Sequence, residues 1–186
     1  MREFVPALPQ ALMFGIIYYM RLEAQFTARD NRLYFLDGTE CPLEGVPVLE
    51  APGCVKDSRI PGEKVSCVRV PWTLVGTEGA GYDEEFLAEF REWLKALEAE
   101  GRFVFVSPVA DRVPCSDSER EDFTASFRHC ARRIKDAASV IGFAVPREAD
   151  AGFFRAELFA KHGHYIFFSG DEDVLKDSAV VLFKDS

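Results

Sequence analysis

Two short stretches of the sequence combine residue types that could do acid–base chemistry. In VIGFAVPREAD, Val140 to Asp150, an apolar run passes through Pro146 into Arg147, Glu148 and Asp150. A carboxyl group at the tip of a buried strand is placed to act as a general acid or base. A plainer role fits the same residues: Pro146 opens a helix, and Glu148 and Asp150 are acids favoured by its dipole. An ion pair with Arg147 would keep Glu148 ionised, the wrong state for a general acid. The second stretch is SGDEDV, which offers Asp171, Glu172 and Asp173 after a later apolar run. Glu172 is the candidate partner for Glu148, although turn chemistry alone accounts for these acids. Arg69 lies inside the apolar run VSCVRVPW and needs an anion, because an unpaired interior charge is costly. Asp111 and Glu148 are its candidate partners.

These residues depend on the elements that carry them. Val65 to Trp72 reads as a buried strand stopped by Pro71. DEEFLAEFREWLKALEAEG places Phe86, Leu87, Phe90, Trp93, Leu94 and Leu97 on one helical face, with acids opening the helix and Gly101 closing it. The strand FVFVSP follows. SDSEREDFTASFRHCARRIKDAA then opens with capping-box spacing and aligns Phe123, Phe127, Ala131 and Ile134. The strand VIGFAV, a helix over 149–162 ending at Gly163, the strand YIFF and a last run AVVLF complete the pattern. Upstream, RLYFLDGTECPLEGVPVLE contains two apolar runs around Asp37-Gly38, a hairpin signal. Strands alternating with amphipathic helices imply βα units on a parallel sheet, with function at the connections after the strands. The expected fold is α/β in a single domain over 1–186. Residues 1–29 form an N-terminal apolar cover segment and residues 30–186 the βα units.

Composition narrows the functional classes. A formal charge of -9 over 186 residues argues against a nucleic-acid partner, whose phosphates would be repelled. The five cysteines are scattered and odd in number, which fits reduced thiols and a cytoplasmic setting. No spacing suggests a metal site. His162 and His164 flank Gly163 as dipole partners of a helix cap, and no third ligand is in view. The apolar run ALMFGIIYYM is too short to span a membrane, so no membrane partner is expected. It could serve as a signal-peptide core, but Glu3, Pro6, Pro9 and a poor cleavage site favour a segment of the folded protein.

Taken together, VSCVRVPWTL, YDEEFLAEFREWLKALEAEGRFVFVSP and FRHCARRIKDAASVIGFAVPRE resemble the first half of a cellulase-type glycoside hydrolase. The likeness is to the retaining (β/α)8-barrel enzymes of family five, and it covers about residues 32–148. RLYFLDGTECPLEGVPV is similar to that family's opening hairpin and first strand. The resemblance implies that Arg69 is the second-strand arginine holding a catalytic carboxylate, and that Glu148 is the acid/base residue. It implies a carbohydrate ligand, for which Arg147, at the position of a sugar-binding asparagine, Asp111 and Trp72 are the candidate contacts; the Trp72 indole could stack on a sugar ring or fill the core. It implies no cofactor. The sequence departs from the family where Arg147 replaces an asparagine, Ala149 replaces a proline, and Ser107-Pro108 replaces a histidine. The family's nucleophile lies on a seventh strand, whereas this sequence offers about two strands after Glu148, leaving Glu172 as the nearest substitute. Because a full barrel takes about 250 residues, the expectation is a partial or contracted (β/α) barrel with a parallel sheet and an N-terminal β-hairpin. Its open edges would be covered by the N-terminal segment or by a homo-oligomer. The functional expectation is a glycosidase-like protein that binds or cleaves carbohydrate, and the alternative is a non-catalytic scaffold or assembly protein on the same barrel.

Overall fold

The computed structural model describes residues 24–160 and 162–184. Its centre is a six-stranded parallel sheet made of β3 (Val48–Glu50), β4 (Val65–Pro71), β7 (Phe103–Val109), β8 (Val140–Ala144), β9 (Ile166–Ser169) and β10 (Val180–Leu182). The strands lie side by side in the order in which they occur along the chain, so each connection steps to the next position. Successive parallel strands with intervening helices form the repeating unit of a (β/α) barrel. The fold is therefore the expected α/β one, a partial barrel with an N-terminal hairpin, and β3 and β10 end the sheet.

The helices all pack on one face. They are α1 (Ala51–Lys56), α2 (Trp72–Val75), α3 (Glu84–Ala99), α4 (Asp117–Arg133) and α5 (Ala151–Phe159), with the small strands β5 (Gly76–Thr77) and β6 (Gly81–Tyr82) after α2. Each of the three longer helices begins where the sequence supplies a cap. The side chains of Asp83, Ser116 and Asp150 accept the backbone N–H groups of Phe86, Glu119 and Phe153 at 2.9, 3.2 and 2.7 Å. A cap of this kind contributes about 1 kcal/mol. The faces they orient bury Phe90, Leu94 and Leu97 of α3, Phe123 and Phe127 of α4, and Phe154 and Leu158 of α5 against Val68, Val70, Val106 and Phe143 of the sheet. Burial pushes the Cys130 thiol in this layer up to about 12 and that of Cys54 up to about 11, so both behave as apolar filler.

The opposite face would be the inside of a barrel. A two-stranded hairpin, β1 (Phe26–Arg29) and β2 (Arg32–Phe35), lies over it. Phe26 and Leu33 of the hairpin, with Cys41 beyond it, pack on Val65, Cys67, Phe105, Ile141, Phe168 and Val181 of the sheet. Phe105 and Phe168 stack with centroids 4.1 Å apart. The hairpin turn is Asp30-Asn31, both in the left-handed region that Asp and Asn tolerate best after glycine. Asp37-Gly38, the turn signal noted in the sequence, makes a second tight turn that returns Cys41 to bond Leu33 (2.8 Å). Residues 1–23, including the apolar run proposed as a cover, lie outside the described residues.

Asn31 fixes the hairpin to the far edge of the sheet. Its Nδ2 donates to the carbonyls of Leu175, Asp177 and Val180 at 3.1, 3.0 and 2.7 Å. Its backbone N–H reaches Ser178 O, and its carbonyl accepts from Leu182 N–H at 2.9 Å. A short 3₁₀ turn, Val174–Lys176, presents the Leu175 carbonyl. Asn31→Gly keeps the left-handed backbone and deletes only the side-chain bonds. It is expected to cost about 1–3 kcal/mol in chemical denaturation. An unchanged midpoint would show that the backbone bonds and apolar contacts hold the hairpin without the side chain.

Candidate functional site

At the C-terminal ends of the parallel strands the apolar alternation gives way to polar residues. In β4 the inward positions Val65 and Cys67 are followed by Arg69, and in β7 Phe103 and Phe105 are followed by Ser107. Register places Glu50 of β3 beside Arg69, and Arg69 beside Ser107. These three residues form one row across the sheet at its C-terminal rim. Arg69 donates to Glu50 Oε1 at 3.3 Å. The structure thus gives Arg69 an acid other than the expected Asp111 or Glu148, because the register of β3 and β4 sets Glu50 directly alongside.

Above this row opens a cleft of about 600 Å³, a size suited to a small molecule. Arg69 and Ser107 enter it from β4 and β7, Arg147 and Glu148 from the loop after β8, Ser169 from β9, and Lys184 from just beyond β10. Phe168 and Phe183 contribute apolar wall. Gly170 makes the last approach possible. A Cβ there would press on the Phe183 carbonyl oxygen at 3.0 Å and touch Lys184. Gly142 plays the same part deeper in the sheet, where a side chain would collide with the backbone of Ile166. The ladder between β7 and β8 shifts register beside it. That glycine and the shift set the direction in which β8 leaves the sheet and carries Glu148 to the rim.

Glu148 lies in the loop between β8 and α5, half-buried, and not in a first helical turn. The helix begins at Ala151, with Asp150 as its cap, so the reading in which Pro146 opens a helix does not hold. Arg147 is exposed. Among the described residues neither Arg147 nor Glu148 has an ion-pair partner, so the expected pairing between these neighbours is also absent.

The other sequence candidates are placed elsewhere. Glu172 is in an exposed turn outside the cleft lining. Asp171 beside it accepts the Asp173 N–H at 2.8 Å and donates its own N–H to Ser169 Oγ at 3.1 Å, so this stretch serves as a turn. Asp111 accepts both the backbone N–H and the hydroxyl of Thr73, holding the start of α2 against the end of β7. Trp72 is 1% exposed. Its Nε1 donates to Ser126 Oγ at 3.0 Å, its ring meets Phe123 edge-on, and the Arg112 guanidinium covers it at 3.8 Å. With its ring enclosed in this way, Trp72 offers no face to a sugar. Of the six candidates, Arg69, Arg147 and Glu148 share the cleft, whereas Glu172, Asp111 and Trp72 do not line it. Near the other end of the sheet, α5 closes at Ala160, not Gly163, and burial pushes the His164 imidazole below its ordinary value.

Glu50, Ser169 and Lys184 were not singled out in the sequence, yet the signal for two of them is simple. Glu50 is the charge that closes the first strand of a parallel series, and Lys184 is the first charge after the last. In such a sheet that position is the functional rim.

Fold and cleft together define a (β/α)-barrel-like protein with a polar site at the C-terminal ends of its strands. No family model matches the sequence, and no curated protein matches it. Solved structures do. The catalytic domain of the Thermobifida fusca endoglucanase Cel5A, a point variant in complex with cellotetraose, aligns with TM-score 0.53 at 11% identity, over 79% of this chain and 53% of that one. A GH5_18 protein from Bifidobacterium longum subsp. infantis aligns with TM-score 0.49 at 11% identity, over 67% of this chain and 42% of that one. The chain thus spans about half the length of the structures it matches. Its likeness to the endoglucanase is one of fold, the cellulase-like barrel.

Because Trp72 is enclosed, Trp72→Ala is expected to cost about 3–5 kcal/mol of stability through lost packing. Thermal melting checks this. A variant that keeps its melting temperature and loses only ligand binding would return Trp72 to the site.

Proposed function

We propose that this chain binds carbohydrate in the cleft at the C-terminal rim and does not cleave it by the two-carboxylate route. The observation that carries the reading is that Glu148 is the one carboxylate among the described residues lining the cleft. Retaining hydrolysis needs two carboxyl groups about 5–5.5 Å apart, and inversion needs them about 6.5–9.5 Å apart. Glu50, the acid of the row below, does not line the cleft and is engaged with Arg69. Glu172 is in a separate exposed turn.

The ligand class rests on chemistry and on analogy. A cleft with a carboxylate acceptor, serine hydroxyls and guanidinium donors matches the alternating donors and acceptors of sugar hydroxyls. An endoglucanase with the same fold binds cellotetraose, which supports the class by analogy of fold alone. In this reading Glu148 accepts hydroxyl protons, Arg69 is oriented by Glu50, and Phe168 and Phe183 supply the apolar wall.

Calorimetric titration with gluco-oligosaccharides, run beside a reducing-sugar assay, tests the reading. Saturable binding without sugar release is expected, with Glu148→Gln weakening binding by about tenfold, the worth of one hydrogen bond to a charged group. Sugar release by the wild-type chain that disappears in Glu148→Gln would contradict it.

A further inference from the structure

The charges of the cleft run against those of the molecule. The chain carries a formal charge of -9, yet among the described residues its cleft gathers Arg69, Arg147 and Lys184 around one acid, Glu148. Glu50 bonds to Arg69 from the row below, and counting it still leaves the cations in excess. Among the described residues Arg147 and Lys184 have no ion-pair partner, although most basic side chains on the helices have found one. Arg91 pairs with Asp136, Arg128 with Glu157, and Arg133 with Glu84. In a chain whose 31 acids outnumber its 22 basic residues, Arg147 and Lys184 are cations that take no acid partner among the described residues. Two such cations enter one cleft from different elements, the β8–α5 loop and the end of β10.

We infer that the cleft takes an anionic sugar, one whose phosphate or carboxylate group lies between Arg147 and Lys184 while its hydroxyls face Glu148 and Ser169. The inference rests on the carbohydrate reading of the same cleft and narrows its substrate class. Both cations are needed for physical reasons. A guanidinium offers a planar fork of donors to a phosphate or carboxylate, and an ammonium adds a mobile point charge. Glu148 supplies orientation, since its charge repels the anionic group and accepts only from hydroxyls, fixing which end of the sugar enters first. Ser169 reinforces this polarity. Its Oγ already accepts the Asp171 N–H, which leaves its hydroxyl proton to donate. A neutral sugar would leave both cations without a partner anion.

The test is calorimetric titration of the full chain at low ionic strength with glucose, glucose 6-phosphate, galactose, galacturonate and inorganic phosphate. At least one anionic sugar is expected to bind about tenfold more tightly than its neutral parent, as charge-assisted bonds imply. That advantage is expected to shrink with added salt. It should disappear in the Arg147→Gln, Lys184→Gln double variant, which is expected to bind the charged and neutral sugars alike while its melting temperature stays unchanged. Arg147→Lys should restore part of it. Equal affinity for charged and neutral sugars overturns the anionic class and leaves the carbohydrate reading standing. Inorganic phosphate bound as tightly as the sugar phosphate, with no binding of neutral sugars, overturns both, as does the absence of any binding.

Discussion

A parallel sheet that is apolar on both faces must be covered twice, and the second cover governs this structure. The helices supply the first, as they do in any βα series. In a closed barrel the inner face covers itself, because opposing strands meet across the axis. Among the described residues six strands form an open arc, and the inward residues Phe105, Ile141, Phe168 and Val181 pack beneath a hairpin instead. Phe26 and Leu33 lie where the far wall of a barrel would be. Asn31 ties the hairpin tip to the last strand, so the cover is attached at the edge most remote in sequence.

That arrangement sets the position of the site. Under the hairpin the inner face is apolar, and toward the C-terminal rim the same columns become Arg69 and Ser107. A half-buried arginine would be destabilising without an acid, and the strand register supplies Glu50 at one interval. Glu148 and Arg147 arrive by a different route, carried up by β8 beyond a glycine that lets two strand backbones approach closely. The cleft is thus the open end of the same arc whose interior the hairpin fills.

The sheet and its helices were legible because their signals are local. Val65 to Pro71, Phe103 to Val109 and the long helices show clear periodicity, and Asp83, Ser116 and Asp150 stand where caps must stand. The candidate site was legible in part. That Glu148, Arg147 and Arg69 line one cleft follows from their places at the C-terminal ends of the strands. The pairing of Arg69 with Glu50 depends on the register between two parallel strands, which no local pattern encodes. Trp72 misled for a related reason. A tryptophan at a strand end fits a stacking platform or core equally well, and Ser126 and Phe123, more than fifty residues away, decide for core. The Asp30-Asn31 turn was overlooked beside the stronger Asp37-Gly38 signal, although Asp and Asn are the residues after glycine that best accept a left-handed backbone.

The central claim, a ligand site at the C-terminal rim of an open barrel, is tested most directly by amide hydrogen exchange with and without a saturating anionic sugar. The account predicts slowed exchange in the β8–α5 loop around Arg147 and Glu148 and at the ends of β9 and β10, with the opposite rim around His164 and Tyr165 unchanged. Protection confined to that opposite rim, or spread evenly over the sheet, would contradict it.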